Sequence, residues 1–492
     1  MKTMKRMFAF ALVAIMALAM TVTAFADEKK TYSITVENAV AGHTYEAYQI
    51  FAGDLSEDGS KISNIKWGSG ISAEGQAALG DAVAYAKNLE GVVSNSSEAT
   101  KTAETFNQYL AAPAGTVSVP ADSANVSYKI TGLDAGYYLI KDKDGSLDGT
   151  EDSYTEFILK VVKDQTVQPK ADTTVVEKKV KDINDSEAES LTEWQDSADW
   201  DIGDQVPFLL KATLAKNVSA YDTYFVKFHD TLSAGLTYDN NYVVKIDGKD
   251  VTSAFTAKYE GTKLTFECAD VKALGATNGS VITVEYTATL NNKAVIGSKG
   301  NPNKVYLEFS NNPNSNQGGD NTGVTPEDTV IVFTYKVVVN KVDQDNAALA
   351  GAEFTLFKKL ADGTKKEVAV AKNAEGTVFT FKGLDDGDYV LSETKTPNGY
   401  NSISDIEFTV TAEHDIISDD PRLTDLNGNV VTGEIEFTKN LGEGSLSTNV
   451  VNQSGSVLPS TGGAGRVAIY VVGAVLVIGA GIVLVTKKRV RQ

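Results

Sequence analysis

The chain has 492 residues, with 65 Asp and Glu against 45 Lys and Arg and a single cysteine. A formal charge of −20 argues against a nucleic-acid or anionic-membrane partner, and one cysteine rules out a disulfide-stapled scaffold. His43, His229 and His414 match no metal-ligand spacing, and no Ser-His-Asp elbow, phosphate loop or Cys-His pair is present, so neither a metal, a cofactor nor a conventional enzyme is expected.

At the start, Lys2, Lys5 and Arg6 precede the apolar stretch Met7 to Met20, and Ala24-Phe25-Ala26 is a small-x-small cleavage site. Residues 1–26 are therefore read as a secretory signal. Residues 27–170 form a first domain of short strands, interrupted by helical spacing over Gly75 to Glu90 and Glu98 to Ala112. Asp164 to Thr174, with Pro169 and Lys170, closes it. Residues 171–328 read as a second domain, with clean alternation in Val281 to Ala288 and an acidic stretch, Asp185 to Asp201, expected to be a solvated loop. Cys268 alternates in phase with Leu264 and Phe266, which predicts an inert buried thiol. Asn311 to Asp328 has linker composition, and a third domain, 329–457, opens on the alternating run Tyr335 to Val342. Gly132-Leu133-Asp134-Ala135-Gly136-Tyr137-Tyr138-Leu139 matches Gly383-Leu384-Asp385-Asp386-Gly387-Asp388-Tyr389-Val390, a weak internal repeat.

The end of the chain, 458–492, has a different character. Leu458-Pro459-Ser460-Thr461-Gly462 precedes an uncharged run, Val467 to Val485, whose 19 residues span about 28 Å as a helix, enough to cross a membrane. Lys487, Lys488, Arg489 and Arg491 follow, and the positive-inside rule keeps them cytoplasmic. Trimmed to residues 27–461, the chain keeps 37 basic against 65 acidic residues, a charge of −28, and is long enough for about three domains.

Polar residues fall in phase with buried ones at recurring places. Lys341 shares the face of Tyr335, Val337 and Val339, and Lys178, rather than Lys179, shares that of Val176 and Val180. Asn311 follows Val305, Leu307 and Phe309, and Asn452 follows Leu446 and Val450. Asp230 follows Tyr224, Val226 and Phe228, and Glu393 follows Tyr389 and Leu391. Each later domain thus offers an inward Lys on its opening strand, an inward Asn on its closing strand and a carboxyl between them. A buried ion pair, or edge positions where phase means nothing, would satisfy the pattern. So would chemistry. Desolvation favours a neutral amine beside a protonated acid, and a neutral amine held against a carboxamide is a nucleophile beside an electrophile. Loss of ammonia would leave a Lys–Asn isopeptide. The first domain lacks the set: Tyr32 to Asn38 contains no Lys, and Lys141-Asp142 stands where the repeat would want Glu-Thr, so no crosslink is expected there.

Three stretches carry a resemblance. Leu458 to Gly462, with its helix and basic tail, resembles the cell-wall sorting signal of Gram-positive surface proteins, in which a sortase cleaves between Thr and Gly, here Thr461 and Gly462. Tyr389-Val390-Leu391-Ser392-Glu393-Thr394-Lys395-Thr396-Pro397-Asn398-Gly399-Tyr400 looks like the E-box of pilin and collagen-adhesin B-type domains, whose Glu assists isopeptide formation; Thr396 replaces the usual Ala. Phe228-His229-Asp230-Thr231-Leu232 and Tyr306-Leu307-Glu308-Phe309-Ser310-Asn311-Asn312-Pro313 are similar to the middle domain of major pilins, with Asn312 an alternative to Asn311. Val167-Gln168-Pro169-Lys170 matches part of the pilin motif that ends in the acceptor Lys; its Trp is missing and Gln168 replaces Tyr.

The resemblance to sortase-assembled backbone pilins implies an all-β chain of three tandem immunoglobulin-like (CnaA- and CnaB-type) β-sandwiches, the first with a helical insertion. It implies that a pilus-specific sortase joins Thr461 of one subunit to Lys170 of the next, with Asp230 and Glu393 assisting Lys178–Asn311 and Lys341–Asn452 crosslinks. Identical subunits, accessory pilins and, through a housekeeping sortase, peptidoglycan would be the partners of a wall-anchored surface pilus. A non-polymerising wall-anchored adhesin is the alternative, and it has no use for Lys170.

Overall fold

The computed structural model of the chain describes residues 30–455, apart from 57–60, 93–96, 124–125, 151, 153, 155, 162–163, 168–173, 189–190, 314–318 and 320, together with 470–480. The signal 1–26, Lys170 and the motif Leu458 to Gly462 lie outside the described residues. Of the span expected over 467–485, a helix over 470–480 is described; among the described residues no helix is long and apolar enough to cross a membrane.

Alternating apolar side chains close three successive cores, each between two sheets, as the period-2 patterning requires. In the first, Tyr32–Ala39 lies between Val126–Leu133, antiparallel, and Gln165–Val167, parallel. Tyr45, Ala47, Tyr138 and Ile140 fill the space between this sheet and the one built on Thr44–Leu55 and Gly136–Asp142. The helical insertion packs on the same second sheet through a separate aromatic cluster. Phe51 stacks on Trp67 at 4.9 Å and meets Phe106 edge-on at 5.8 Å. The helix expected over 75–90 is two helices, Ala73–Leu79 and Ala82–Asn88. Gly80 takes a left-handed φ of 81° at the break, and the Asp81 carboxylate accepts from Ala84 N to start the second helix.

The middle unit has one sheet with Val175–Val180 at its edge, followed by Gln205–Thr213, Val281–Leu290 and Leu236–Ile246. Its other sheet runs Asp328–Phe333, Asn301–Ser310, Val226–Leu232, Lys263–Cys268. Residues 329–333, assigned from composition to the third domain, therefore complete the second: Val332 pairs with Asn301 and Val330 with Asn303. Thr322–Val324, in the stretch before them, pairs with Glu308 to Ser310 of the same sheet. Cys268 is buried, as its phase predicts. In the last unit the opening strand Tyr335–Asp343 lies parallel to the closing strand Ser445–Asn452, so first and last strands are neighbours. The facing sheet is built on Glu353–Lys359, Gly387–Lys395 and Ile406–His414.

The acidic stretch Asp185 to Asp201 is solvated only in part: Glu187, Ala188, Leu191, Thr192 and Glu193 are exposed, but its last residues are not. Asp196, Asp199 and Asp201 are buried; cations from the last domain close over Asp199 and Asp201, while Asp196 pairs with Lys179 of its own domain and accepts from Ser418 N. Lys358 is fully buried against Asp185 and Asp385, Lys366 reaches Asp201 at 3.1 Å and Asp204 at 2.9 Å, and His414 Nε2 lies 3.4 Å from Asp182 and 3.5 Å from Asp199. Nothing in the local sequence announces charges that arrive from more than 150 residues away. Burial works against protonation of His414, but its bonds to Asp182 and Asp199 outweigh it and raise its pKa to about 10. Burial, then the charge of Asp199, raises Asp386 to about 7. A group whose pKa rises on folding contributes stability below its unfolded value and loses it as pH climbs through the folded one, so the Asp386 contribution is gone by about pH 7 and that of His414 is lost between about 6.5 and 10. The melting temperature should therefore fall between pH 6.5 and 10, and fall less in His414→Gln. Equal falls in the two proteins would contradict this account of the joint.

Candidate functional site: two buried lysine clusters

The inward phase of Lys178 and Lys341 places both amines in cores. In the middle domain Lys178, on the edge strand of one sheet, has no solvent exposure and its Nζ donates to Asp230 Oδ2 at 2.6 Å. Asp230 reaches in from the opposite sheet. Its neighbour strand sets Val305 opposite Asp230 and Asn303 opposite Leu232, so Asn303 shares the inward face with Asp230. The Tyr286 hydroxyl closes the group: it donates to Asp230 Oδ2 at 2.7 Å, and accepts from Asn303 Nδ2 at 2.7 Å and from Lys178 Nζ at 3.2 Å. The Phe208 and Tyr286 rings each lie 5.4 Å from Nζ and wall the site. Burial pushes the Lys178 amine down, against the pull of Asp230, and pushes the Asp230 carboxyl up, against that of Lys178. Both directions favour the uncharged pair.

In the last domain Lys341 is also fully buried. Its Nζ donates to the carbonyls of Val342 at 2.8 Å and Val450 at 3.0 Å, on the two parallel strands. Asn452 stands two residues beyond Val450, and its Nδ2 donates to Glu393 Oε2 at 3.1 Å and to the Asn401 carbonyl at 2.9 Å. Glu393 is held by Thr396 Oγ1 at 3.0 Å. Desolvation lowers the Lys341 pKa, and the Glu393 charge opposes it. At both sites the oxygens that this chemistry would use are buried without a hydrogen-bond partner among the described residues: Asp230 Oδ1 and Asn303 Oδ1, Glu393 Oε1 and Asn452 Oδ1. Orphaned buried oxygens are expensive in a native core, and finding four in two matched groups asks for a reason.

The structure brings together Lys341, Glu393 and Asn452, and Lys178 with Asp230. It does not bring Asn311 to Lys178. Asn311 is eight residues beyond Asn303, about 26 Å along an extended strand. Its Nδ2 instead donates to the carbonyls of Leu147 at 2.9 Å and Asp152 at 3.3 Å in the first domain. Asn312 turns to Asn321. Lys179 is half-exposed and pairs with Asp196, which leaves Lys178 as the core lysine. Alternation along Asn301, Asn303, Val305, Leu307 and Phe309 runs both ways from the apolar residues; only the register against Asp230 says which Asn meets the lysine. Tyr286 carried no signal in the sequence beyond its inward phase. In the first domain Lys141 is buried, but its carboxylate partner at 2.6 Å, Asp144, faces solvent, and its Nζ meets Asn107 at the amide oxygen, 2.8 Å away. Asp182, Asp199 and His414, and separately Asp185, Asp201 and Asp204, cluster closely enough to hold a metal ion. Lys358, Lys366 and His414 already bring positive charge to both.

Three family models match the chain. They are a prealbumin-like fold domain over residues 335–421, a Gram-positive pilin backbone subunit 2, Cna-B-like domain over 202–313, and the LPXTG cell wall anchor motif over 450–490. The trypsin-resistant surface T6 protein of Streptococcus pyogenes serotype M6 is 24% identical, with 97% of this chain and 99% of that protein covered. Among solved structures, the T6 backbone pilin of the same serotype, described as a modular three-domain structure, gives a TM-score of 0.58 at 20% identity, covering 89% of this chain and 100% of that one. The full-length major pilin SpaD from Corynebacterium diphtheriae gives 0.51 at 18% identity, covering 88% and 100%.

The Asn311 carboxamide is a strut between the first two domains. Asn311→Ala should speed tryptic cleavage after Lys143 about five- to thirtyfold, equivalent to about 1–2 kcal/mol of local opening. An unchanged cleavage rate would remove the strut.

Proposed function

We propose, for a chain that is by its domains and its anchor a Gram-positive backbone pilin, a subunit covalent at two levels. Between subunits, a pilus-specific sortase cleaves after Thr461 and passes its acyl group to the Lys170 amine of the next copy. A housekeeping sortase then fixes the finished polymer to peptidoglycan, and accessory pilins join the same fibre. Pro169 supports this use of Lys170, since a proline has no backbone donor to offer a ladder. The observation that carries the inner level is the twice-repeated buried group of amine, carboxyl and carboxamide.

Within each subunit the reaction is a self-modification. The uncharged Lys178 nitrogen attacks Cγ of Asn303 while Asp230, protonated, donates to the carboxamide oxygen. Collapse of the tetrahedral intermediate forms the Nζ–Cγ amide, expels Nδ2 as ammonia with the proton that Nζ gives up, and returns the borrowed proton to Asp230. Asp230 Oδ2 accepts from both Nζ and Tyr286, which leaves Oδ1 as the oxygen that carries the proton. Glu393, which holds Asn452 Nδ2, assists the same reaction between Lys341 and Asn452. Proximity in a site without solvent supplies roughly 7–11 kcal/mol of the barrier.

The bonds suit a fibre under tension. Lys341 to Asn452 closes a loop of 111 residues, worth roughly 5 kcal/mol by chain entropy. Load entering the last domain on Tyr335–Asp343 would leave through Ser445–Asn452 by a covalent bridge between adjacent strands, and the ladder need not shear. In the middle domain the bridge crosses between the sheets.

Residues 27–461 should be lighter than their sequence mass by about 17 Da for each ammonia lost, about 34 Da in all. Asp230→Ala or Asn303→Ala should restore one increment and Glu393→Ala the other, whereas Asn311→Ala should restore none. A mass equal to the sequence would end the inner reading. In the native host, a wall extract blotted for this chain should show a ladder of high-mass species that collapses to monomer in Lys170→Ala; one monomer-sized band in both strains would make the chain a wall-anchored adhesin.

A further inference from the structure

The Tyr286 hydroxyl touches every group of the middle-domain site. It lies 2.7 Å from Asn303 Nδ2, 2.7 Å from Asp230 Oδ2 and 3.2 Å from Lys178 Nζ. It is therefore in contact with both the nitrogen that attacks and the nitrogen that leaves. Its ring is pinned by Phe208, stacked at 5.4 Å, and by Tyr238 and Phe266, each at 5.8 Å. The residue has no exposure to speak of, so no water competes for its oxygen.

We propose that Tyr286 is a catalytic residue of the middle-domain crosslink, the relay that carries a proton to the departing carboxamide nitrogen. The proposal rests on the Lys178–Asn303 reading above. The need for a relay is chemical: an amide nitrogen leaves as ammonia only if it is protonated as the C–N bond breaks. Asp230 Oδ2 receives the proton that Nζ loses, Tyr286 hands its hydroxyl proton to Nδ2, and Asp230 Oδ2 restores it. The Nζ–Cγ bond forms, the Cγ–Nδ2 bond breaks, one proton has moved from Nζ to Nδ2, and both Tyr286 and Asp230 end as they began. Burial and the neighbouring Asp230 carboxyl push the phenol well above its ordinary pKa, which keeps the hydroxyl protonated and able to donate and accept at once. The last domain has no counterpart among the described contacts: Asn452 Nδ2 lies against Glu393 itself and a main-chain carbonyl. The two sites therefore share a reaction and differ in how the leaving nitrogen is served.

The test is a time course of the full chain after cell-free synthesis, reading the tryptic peptide pair joined through Lys178 and Asn303. Tyr286→Phe keeps the ring and deletes the relay; it should form the pair about a hundredfold more slowly than the wild type, while the Lys341–Asn452 pair appears in the same chain at the wild-type rate. A Tyr286→Phe chain that joins Lys178 to Asn303 as fast as wild type overturns the relay and leaves the crosslink standing. A wild-type chain that never forms the pair overturns the crosslink reading, and the relay with it. If Tyr286→Phe loses the wild-type circular-dichroism spectrum, the wild-type sequence made with 3-fluorotyrosine replaces it. The more acidic phenol should change the rate of the Lys178–Asn303 pair and not that of Lys341–Asn452, and equal rates at both sites with and without fluorine would overturn the proposal.

Discussion

An ammonium ion taken out of water costs several kcal/mol even after its surroundings relax, and a single carboxylate repays that poorly. Lys178 and Lys341 are both placed where that cost is due in full. The least costly resolution available to such a nitrogen is to lose its charge, and a neutral amine in a closed site beside an acid and a carboxamide is set up to react. Much of the architecture serves this one constraint. The edge strand of the middle domain is turned so that Lys178 points across the gap between sheets, Asp230 and Asn303 share the facing strands, and the first and last strands of the final domain lie side by side.

Charge burial recurs at the joint between the last two domains, with the opposite solution. Lys358, Lys366 and His414 are seated in a socket of aspartates, Asp385 of their own domain and the others from the middle domain, and there the cations keep their charge because several carboxylates surround them. One chain thus contains buried amines of two kinds. Burial leans Lys178 and Lys341 toward neutrality, whereas Lys358, among the carboxylates of Asp185, Asp201 and Asp385, is driven further into protonation, as its raised pKa shows.

Much of this was legible in the sequence, for a definite reason. Period-2 alternation identifies which residues of a strand face inward, so Lys178, Lys341, Asp230, Glu393 and Asn452 could be chosen without knowing which strands pair. Alternation has no origin, however. It placed Asn303 and Asn311 on the same face equally well, and the choice between them belongs to the cross-strand register of Asp230 against Val305. The helix expected over 75–90 failed on a local feature, the Gly80 break with its Asp81 cap, that was there to be read. The acidic socket failed for the opposite reason, since the cations that bury Asp199 and Asp201 come from a distant part of the chain. The strand Asp328–Phe333 was hidden because the Asn- and Gly-rich stretch before it has the composition of an inter-domain linker.

Electron density is the most direct judge of the central claim, that the buried amines are joined to their asparagines. A high-resolution crystal structure of residues 27–461 should show unbroken density from Lys178 Nζ to Asn303 Cγ and from Lys341 Nζ to Asn452 Cγ, each refining to an amide bond of about 1.33 Å with no atom at either Nδ2 position. Separate ammonium and carboxamide groups at non-bonded distance in both domains would contradict the account and leave two buried ion clusters in its place.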